Sequence, residues 1–492
     1  MPIPMISREN PRPRLIVDGQ PFIILGAQWD YRRVQDHIYR DGLFPLASKL
    51  NCNTAFIPIF WSQVEPELNL YDFGVVEEIL VSARRQGLRL VLLWFGSNRE
   101  GSFGFRPRTD DVTDCGMPAF ISQVPRYIVD DPATYPRAIG DDGSRHSTAL
   151  CPMGGATLAR ETKAFQAFMA YLAANDNTRT TIMVQINNEI CTPPVGYLRF
   201  ADGCRCSACE EERHGHPGLH TAAAVCYARY VGTMAAAGAA VYPLPFYVNF
   251  VGDSRPGEDI QTYLDLAPQL ACVGSDAYGR DADDFRAIMR RFRVGRNVPF
   301  VPETASDEHT ATENNLLIGL EEFGIIGMDL WAIDYPVGYW TWQPEPRDSA
   351  PLFAEDGTPS SRAEIVAEVF GLVDRARTVI GERLGTGDLF AFTGEGNPAE
   401  FTRNWPEGTV IVKHEGGGRG MVVRQAPGEY TILGRSCSVI LPEAVDRAAR
   451  GSWQGDCWQT EGLIGLSQAG AGSVLRLEKS EVIRVPGNIF GI

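Results

Sequence analysis

Along the first three quarters of the chain, short apolar, β-prone runs recur at 22–27, 54–60, 88–95, 181–187, 244–249, 271–275, 298–302 and 325–331. Each gives way to a stretch with helical spacing or polar loop character. The runs are nearly continuous in hydrophobicity instead of alternating, the pattern of strands buried on both faces of a parallel sheet. Between them, 75–86, 159–174, 222–237 and 282–292 carry apolar residues at helical period. The last four runs begin at 244, 271, 298 and 325, each 27 residues after the one before and close to a minimal strand–helix repeat. Eight such strands predict an α/β fold closed into a (β/α)8 TIM barrel.

Two intervals are longer than a bare repeat. One, 96–155, is dense in Gly, Pro, Asp and Arg, and the other, 191–220, is rich in Cys. Loops that follow barrel strands emerge on the catalytic face, so both are expected to wall a site. After the eighth run, 361–384 predicts a closing amphipathic helix. From 385 onward the pattern changes to short runs at 409–413, 420–424, 430–433, 437–441, 473–477 and 482–485, separated by Gly, Pro and Asn. This predicts a catalytic barrel over 1–384 and a small C-terminal antiparallel β-sandwich domain over 385–492. Trp405, Trp453 and Trp458 of the second part are expected to serve packing, with carbohydrate contact as the alternative. The Gly-rich stretch 416–420 lies between two β-prone runs and reads as a hairpin turn, not a phosphate cradle.

Composition narrows the function classes. The chain has 492 residues, 44% of them apolar, and a net charge of −16, enough to bury one large domain and a smaller one. No run of eighteen apolar residues spans a membrane, and Met1 to Arg14 carry Pro and Arg where a signal peptide would need an apolar stretch. A soluble, cytoplasmic protein is expected. Eleven cysteines, an odd count scattered through a long chain, argue for a reducing compartment and against a disulfide scaffold. The acidic balance excludes nucleic acid and anionic membrane as expected partners and leaves a neutral small substrate; a homo-oligomer is compatible. Among seven histidines, none belongs to a Ser-His-Asp nucleophile elbow.

The candidate chemistry lies at strand ends. Glu189 closes the fourth run and Glu303 the seventh, 114 residues later. A carboxylate at the C-terminal end of a buried strand is costly to desolvate, and in a (β/α)8 barrel that end is the catalytic face. A lone strand-end Glu is more often a surface ion pair. Two on these strands, one following Asn188, suggest a glycosidase. Trp331, after the eighth run, would form an apolar platform under a sugar ring. Gln28, Trp29 and Asp30 after the first run, Glu65 after the second, Trp94 and Asn98 around the third, and Asn249 after the fifth are candidates for hydroxyl recognition. Glu65 has a rival role, anchoring a loop through a buried salt bridge. A second constellation is Cys204-x-Cys206-x-x-Cys209, three thiols that can wrap one soft cation; a structural zinc needs a fourth ligand. Free or disulfide-bonded thiols are the alternative.

The phrase Phe60-Trp61-Ser62-Gln63-Val64-Glu65-Pro66, then Tyr71-Asp72-Phe73, Asn188-Glu189, Glu303 and Leu330-Trp331, resembles the retaining glycoside hydrolases of clan A. Within the clan it is most similar to the β-galactosidases of families 35 and 42, over about residues 15–384. The resemblance implies that Glu189 is the acid/base and Glu303 the nucleophile. It also implies that Asn188 contacts the sugar 2-hydroxyl and that Tyr278 holds the nucleophile. Family 42 chains carry a similar thiol knot, whose fourth ligand precedes a Pro; Cys151-Pro152 matches, implying zinc on Cys151, Cys204, Cys206 and Cys209. Cys115, Cys191, His214 or His216 are alternatives to Cys151. The chain has no room for the family 42 flavodoxin-like middle domain, and it lacks the Trp that often follows the seventh-strand Glu. The expected activity is retaining exo-hydrolysis of terminal β-D-galactosides, with no organic cofactor. Other clan A specificities, such as β-glucanase, β-mannanase, β-arabinosidase or β-fucosidase, keep the same carboxylates; a non-catalytic sugar-binding barrel would not need both.

Overall fold

The computed structural model describes residues 1–9, 12–28, 37–97, 123–140, 142–151, 153–190, 204–215, 222–251, 256–305, 310–333, 352–354, 356–395, 398–445, 447–469 and 472–487. Eight parallel strands close a barrel: β1 (Ile24–Gln28), β2 (Thr54–Phe60), β3 (Arg89–Phe95), β4 (Thr181–Ile186), β5 (Phe246–Val251), β6 (Leu270–Asp276), β7 (Val301–Thr304) and β8 (Gly327–Leu330). Closure is made by β8 on β1, with Gly327 opposite Ile24 and Leu330 opposite Ala27. Every expected strand is present.

Two apolar layers explain the continuous hydrophobic runs. Ile24, Phe56, Val91, Met183, Tyr247, Cys272 and Phe300 fill the lumen as one cluster. Their strand neighbours Leu25, Ile57, Leu92, Val184, Val248 and Val273 join the core under the helices. A strand buried on both faces needs no polar alternation. Leu15 and Val17, from an antiparallel N-terminal sheet (Met5–Ser7, Arg14–Val17, Gln20–Phe22), belong to the lumen cluster and plug that end of the barrel.

The lumen is not apolar throughout. A Cβ on Gly26 would lie 2.5 Å from Asp329 Oδ1 and 2.6 Å from Phe56 Cε2, so the glycine in β1 makes room for a carboxyl group projecting from β8. A register shift in β7 between Val301 and Thr304 is a bulge-type irregularity beside the Glu303 position. Bulges commonly re-aim a side chain next to a site.

The expected closing helix is two helices, Ser361–Arg375 and Arg377–Arg383, separated at Ala376 (φ −119°, ψ 9°). Beyond them come a six-stranded and a five-stranded antiparallel sheet. The Gly-rich stretch 416–420 is not the expected hairpin turn: it carries the chain from Gly408–His414 in the five-stranded sheet to Arg419–Ala426 in the six-stranded sheet, and the two strands do not pair. Trp405 stacks on Tyr430 and donates to the Gly387 carbonyl (3.1 Å). Trp453 and Trp458 pack edge to face on each other and lie against the barrel-side core. All three therefore serve packing. No helix among the described residues is long and apolar enough to cross a membrane.

Candidate active site

The backbone just past β4 is unusual. Asn187 (φ 58°) and Glu189 (φ 47°) both occupy the left-handed region, which costs roughly 1–3 kcal/mol for a residue such as Glu unless its surroundings hold it there. Asn187 is held through its side chain: Oδ1 accepts from Gly96 N (2.7 Å), and Nδ2 donates to the Tyr230 hydroxyl (2.5 Å). Tyr230 in turn donates to Glu161 Oε1 (2.6 Å), which also accepts from Trp94 Nε1 (3.0 Å). Glu161 is fully buried; burial pushes its carboxyl up, against the hydrogen bonds from Ser97, Tyr230 and Trp94 that favour the charged form. Glu189 is held through its backbone, donating N–H to Asn249 Oδ1 (2.8 Å).

One carboxylate oxygen each from Glu189, Asp276 and Glu303 lies within 4.8 Å of the other two. The end of β4 and the end of β7 thus meet across the barrel mouth, and the end of β6 supplies a third acid. Asp276 and Glu303 are opposite each other in the β6–β7 pairing. Asn249 Nδ2 donates to both oxygens of Asp276 (3.1 and 3.0 Å) and to Asn188 Oδ1 (3.0 Å), which also accepts from Gln185 Nε2 (3.1 Å). With two donors on Oδ1, the orientation of the Asn188 amide is set.

Tyr278 donates its hydroxyl to Glu303 Oε1 (2.5 Å). Its side chain is 37% exposed, but the hydroxyl is turned into the carboxylates. Burial, then the charges of Glu303 and Asp276, push it well above the usual phenol range, so it stays a donor. Deeper in the lumen, neither oxygen of Asp329 has a hydrogen-bond partner. Burial first and the Glu303 charge second raise this carboxyl well above the usual range.

Several expected sugar contacts lie elsewhere. Trp94 is fully buried, packed against Phe165 and Phe168 on the helix side of β3, with its indole N–H on Glu161. It is a core residue. Glu65 is fully buried and paired with Arg160, and it accepts from Trp61 Nε1 and Asn69 N (each 3.0 Å); it is the loop anchor, its charge neutralised by the guanidinium. Asn249 is 1% exposed, and both ends of its amide hold Asn188, Glu189 and Asp276, so it positions the acids instead of reading a hydroxyl. Gln28 closes β1 and is buried. Trp331, 9% exposed, follows β8 and donates its backbone N–H to the Thr304 carbonyl (2.9 Å). Asp30, Trp29 and Asn98 lie outside the described residues. Sequence reasoning missed Asp276, Asn187 and Asp329 as chemistry; Asp276 and Asn187 carry the strand-end signal used for the others, whereas Asp329 lies inside an apolar run.

The thiols of Cys151, Cys204, Cys206 and Cys209 also converge, all four sulfurs lying within 4.8 Å of one another. Cys151 Sγ is 3.4 Å from Cys206 Sγ and 3.5 Å from Cys209 Sγ. Those separations exceed a disulfide bond of ~2.05 Å. They are close to the ~3.8 Å edge of a tetrahedron with Zn–S bonds of ~2.3 Å. Hydrogen bonding with Cys151 holds Cys206 well below the usual thiol range and pushes Cys209 far above it, as expected of thiols that cannot all ionise without a cation. The donor set fits a soft tetrahedral metal. His214 is not part of this group, and Cys115, Cys191 and His216 lie outside the described residues.

No protein-family model and no curated protein sequence matches the chain. Solved structures do. The β-galactosidase from the psychrophilic Marinomonas ef1 is similar with a TM-score of 0.51 at 11% identity, over 73% of this chain and 61% of that one. A family 39 glycoside hydrolase from the gut symbiont Bacteroides cellulosilyticus WH2 has a TM-score of 0.48 at 12% identity, covering 94% of this chain and 80% of that chain. An exo-β-1,4-mannosidase from Opitutaceae bacterium strain TAV5 has a TM-score of 0.47 at 14% identity, over 74% and 61%. The Marinomonas likeness is one of fold, and the matched region is 61% of that chain's length.

Proposed function

We propose that the chain is a retaining clan A glycoside hydrolase acting on terminal β-linked sugars, β-D-galactosides foremost. The observation that carries this reading is the approach of the Glu189 and Glu303 carboxylates to within 4.8 Å. Retaining enzymes hold their two carboxyl groups ~5–5.5 Å apart, whereas inverting enzymes leave ~6.5–9.5 Å for a water. The ionised Glu303 attacks the anomeric carbon as the glycosidic C–O bond breaks, and Glu189 gives its proton to the leaving oxygen. Water then cleaves the glycosyl ester, with Glu189 taking its proton. Tyr278 supports the ionised form of Glu303, and Asn188, by the family resemblance, would meet the 2-hydroxyl, a contact that strengthens toward the transition state.

The preference for galactose rests on the Trp61-to-Pro66 and Asn188-Glu189 phrases; the fold of the Marinomonas β-galactosidase is compatible with it. β-Mannosides and β-glucosides remain the rival substrates, and a screen of aryl glycosides separates them. Proton NMR of the first-formed product should show the substrate's anomeric configuration; the opposite anomer would sink the double displacement. Glu303→Gln should abolish turnover, a loss of at least ~10⁴-fold, since the nucleophile has no substitute. Glu189→Ala should recover activity with azide on an activated aryl glycoside. Near-native rates in either variant overturn the assignment.

The four cysteines are proposed to hold one structural zinc. Four thiolates leave no open position, so no step of the reaction uses the metal. Elemental analysis of protein purified without added zinc should find about one equivalent per chain, and chelation should lower the melting temperature; no metal together with titratable disulfides refutes the site.

A further inference from the structure

The turn that carries Asn188 and Glu189 is gripped from outside the barrel. Asn187, 2% exposed, sits at φ 58° directly after β4. Three of its polar groups are tied: its backbone N–H donates to the Trp94 carbonyl (2.8 Å), its Oδ1 accepts from Gly96 N (2.7 Å), and its Nδ2 donates to the Tyr230 hydroxyl (2.5 Å). The first two bonds lock it to the end of β3, and the third leads into the helix layer. Tyr230, on the helix Ala222–Val241, donates to Glu161 Oε1 (2.6 Å) on the helix Gly155–Asn175. Glu161 collects three further donors: Trp94 Nε1 (3.0 Å) on the same oxygen, and Ser97 N (3.3 Å) and Ser97 Oγ on the other. The chain makes room for this carboxyl at Gly96, where a Cβ would lie 1.8 Å from Glu161 Oε1.

A carboxyl group buried between two helices is costly even when it is hydrogen-bonded, and an apolar contact there would hold the helices together without that cost. What an apolar contact would not do is fix a direction. Four donors on two oxygens set the plane of the Glu161 carboxyl, the carboxyl aims the Tyr230 hydroxyl, and the hydroxyl leaves the Asn187 amide one orientation. An amide so held keeps its backbone in a left-handed conformation that costs roughly 1–3 kcal/mol and persists only under such constraint. The sign of φ at Asn187 decides where the next two residues project, and a reacting group displaced by about 1 Å can lose about 10²-fold in rate. We propose that Glu161 and Tyr230 are positioning residues for the acid/base: acting through Asn187, they hold the turn from which Glu189 meets the glycosidic oxygen. At 0% and 1% exposed, both lie in the helix layer and touch no substrate. The proposal rests on the reading of Glu189 and Glu303 as the working pair.

An acid catalyst matters only where the leaving group needs a proton, so the test compares leaving groups on the sugar that the aryl glycoside screen identifies. The quantity to read is kcat/KM, which reports the first, glycosylating step. Tyr230→Phe keeps the ring and removes the link. Its kcat/KM should fall roughly 10²-fold on the methyl glycoside and less than about threefold on the dinitrophenyl glycoside, whose leaving group departs unprotonated. Glu161→Gln, which turns an amide donor toward the donors at Trp94 and Tyr230 or at Ser97, should show the same split. Asn187→Gly lets the backbone keep its positive φ without strain and gives Tyr230 nothing to hold. Adding Tyr230→Phe to Asn187→Gly should therefore cost less than about threefold more on the methyl glycoside. A merely structural role would lower both glycosides alike through the folded fraction. Equal losses on the two glycosides, or wild-type kcat/KM on the methyl glycoside, overturn the proposal, as does a further loss of about 10²-fold from Tyr230→Phe in the Asn187→Gly background. Should Tyr230→Phe or Glu161→Gln not fold, the split in the other decides. The underlying reading fails by a different result, near-native rates in Glu303→Gln or Glu189→Ala.

Discussion

At the scale of single residues, the site is a set of short hydrogen bonds whose directions assign charge. Tyr278 can only donate to Glu303, because its own ionisation is suppressed by burial and by three neighbouring carboxylates. A donor to a carboxylate favours the charged form. Tyr278→Phe should therefore raise the pKa of Glu303 and, if Glu303 is the proposed nucleophile, move the acidic limb of kcat/KM to higher pH, with kcat at the optimum down roughly 10²-fold, comparable with removal of one preorganised donor. An unmoved acidic limb would show that Tyr278 does not set the charge of Glu303. Glu189, Glu303 and Asn188 could be found in the sequence because strand ends are few and polar residues there stand out against apolar runs, and Tyr278 was named through the family resemblance alone. Asn249 and Trp94 were misassigned for the converse reason. A strand-end polar residue in sequence does not reveal whether its partner is a sugar or another side chain, and Trp94 points to the helix side of β3.

At the scale of elements, the barrel was legible because a strand buried on both faces has no choice but to be apolar. What escaped has equally physical causes. The run 298–302 includes Pro299 and Pro302, which lack an N–H, and the ladder assigned to β7 begins only at Val301. The strands Ala399–Trp405 and Cys457–Ile464 are sheet edges with exposed polar side chains, so no apolar run marks them. The strands of the barrel are also tied at their N-terminal ends by a polar device no motif announces. Asp176 is buried after the helix Gly155–Asn175 and accepts from Thr180 N (2.9 Å), Thr181 N (2.7 Å) and Arg84 Nη2 (2.8 Å). Burial raises its carboxyl, but the bonds from Thr181, Arg84 and Thr180 outweigh this and hold it below the usual range. A folded-state pKa below the unfolded value of ~3.9 gives stability that is present above that value and lost as pH falls through the depressed one. Asp176→Ala orphans two buried N–H groups and should cost about 2–4 kcal/mol at pH 7, with a gap to wild type that narrows below about pH 4. Urea melts at pH 7 and pH 3 check both; an equal gap at the two pH values would remove the charge from the account.

At the scale of the molecule, the barrel and the C-terminal sheets share one core. Phe370, Val373, Ile380 and Leu384, from the two helices that follow β8, belong to the same buried cluster as Leu389, Met421, Val423, Leu433 and Val482 of the sheets. Acids on the barrel side meet arginines on the sheet side: Glu313, 2% exposed, lies between Arg362 (2.6 Å) and Arg419 (3.3 Å), Glu368 pairs with Arg435 (2.5 Å), and Glu321 pairs with Arg403 while accepting from Ala391 N (2.9 Å). An apolar interface that excludes water strengthens such pairs, and removing one partner leaves an uncompensated charge worth about 3–5 kcal/mol. Glu313→Ala, which strands Arg419 against the barrel, should therefore lower the stability of the whole chain and not of the sheets alone. In urea, the far-ultraviolet signal of the barrel helices, the intrinsic tryptophan fluorescence and the proposed hydrolytic activity should be lost in one transition in wild type, and in one earlier transition in the variant. Two separated transitions, the sheets melting while activity persists, would mean that the shared cluster does not couple the halves, and that the C-terminal sheets are dispensable to the barrel's fold.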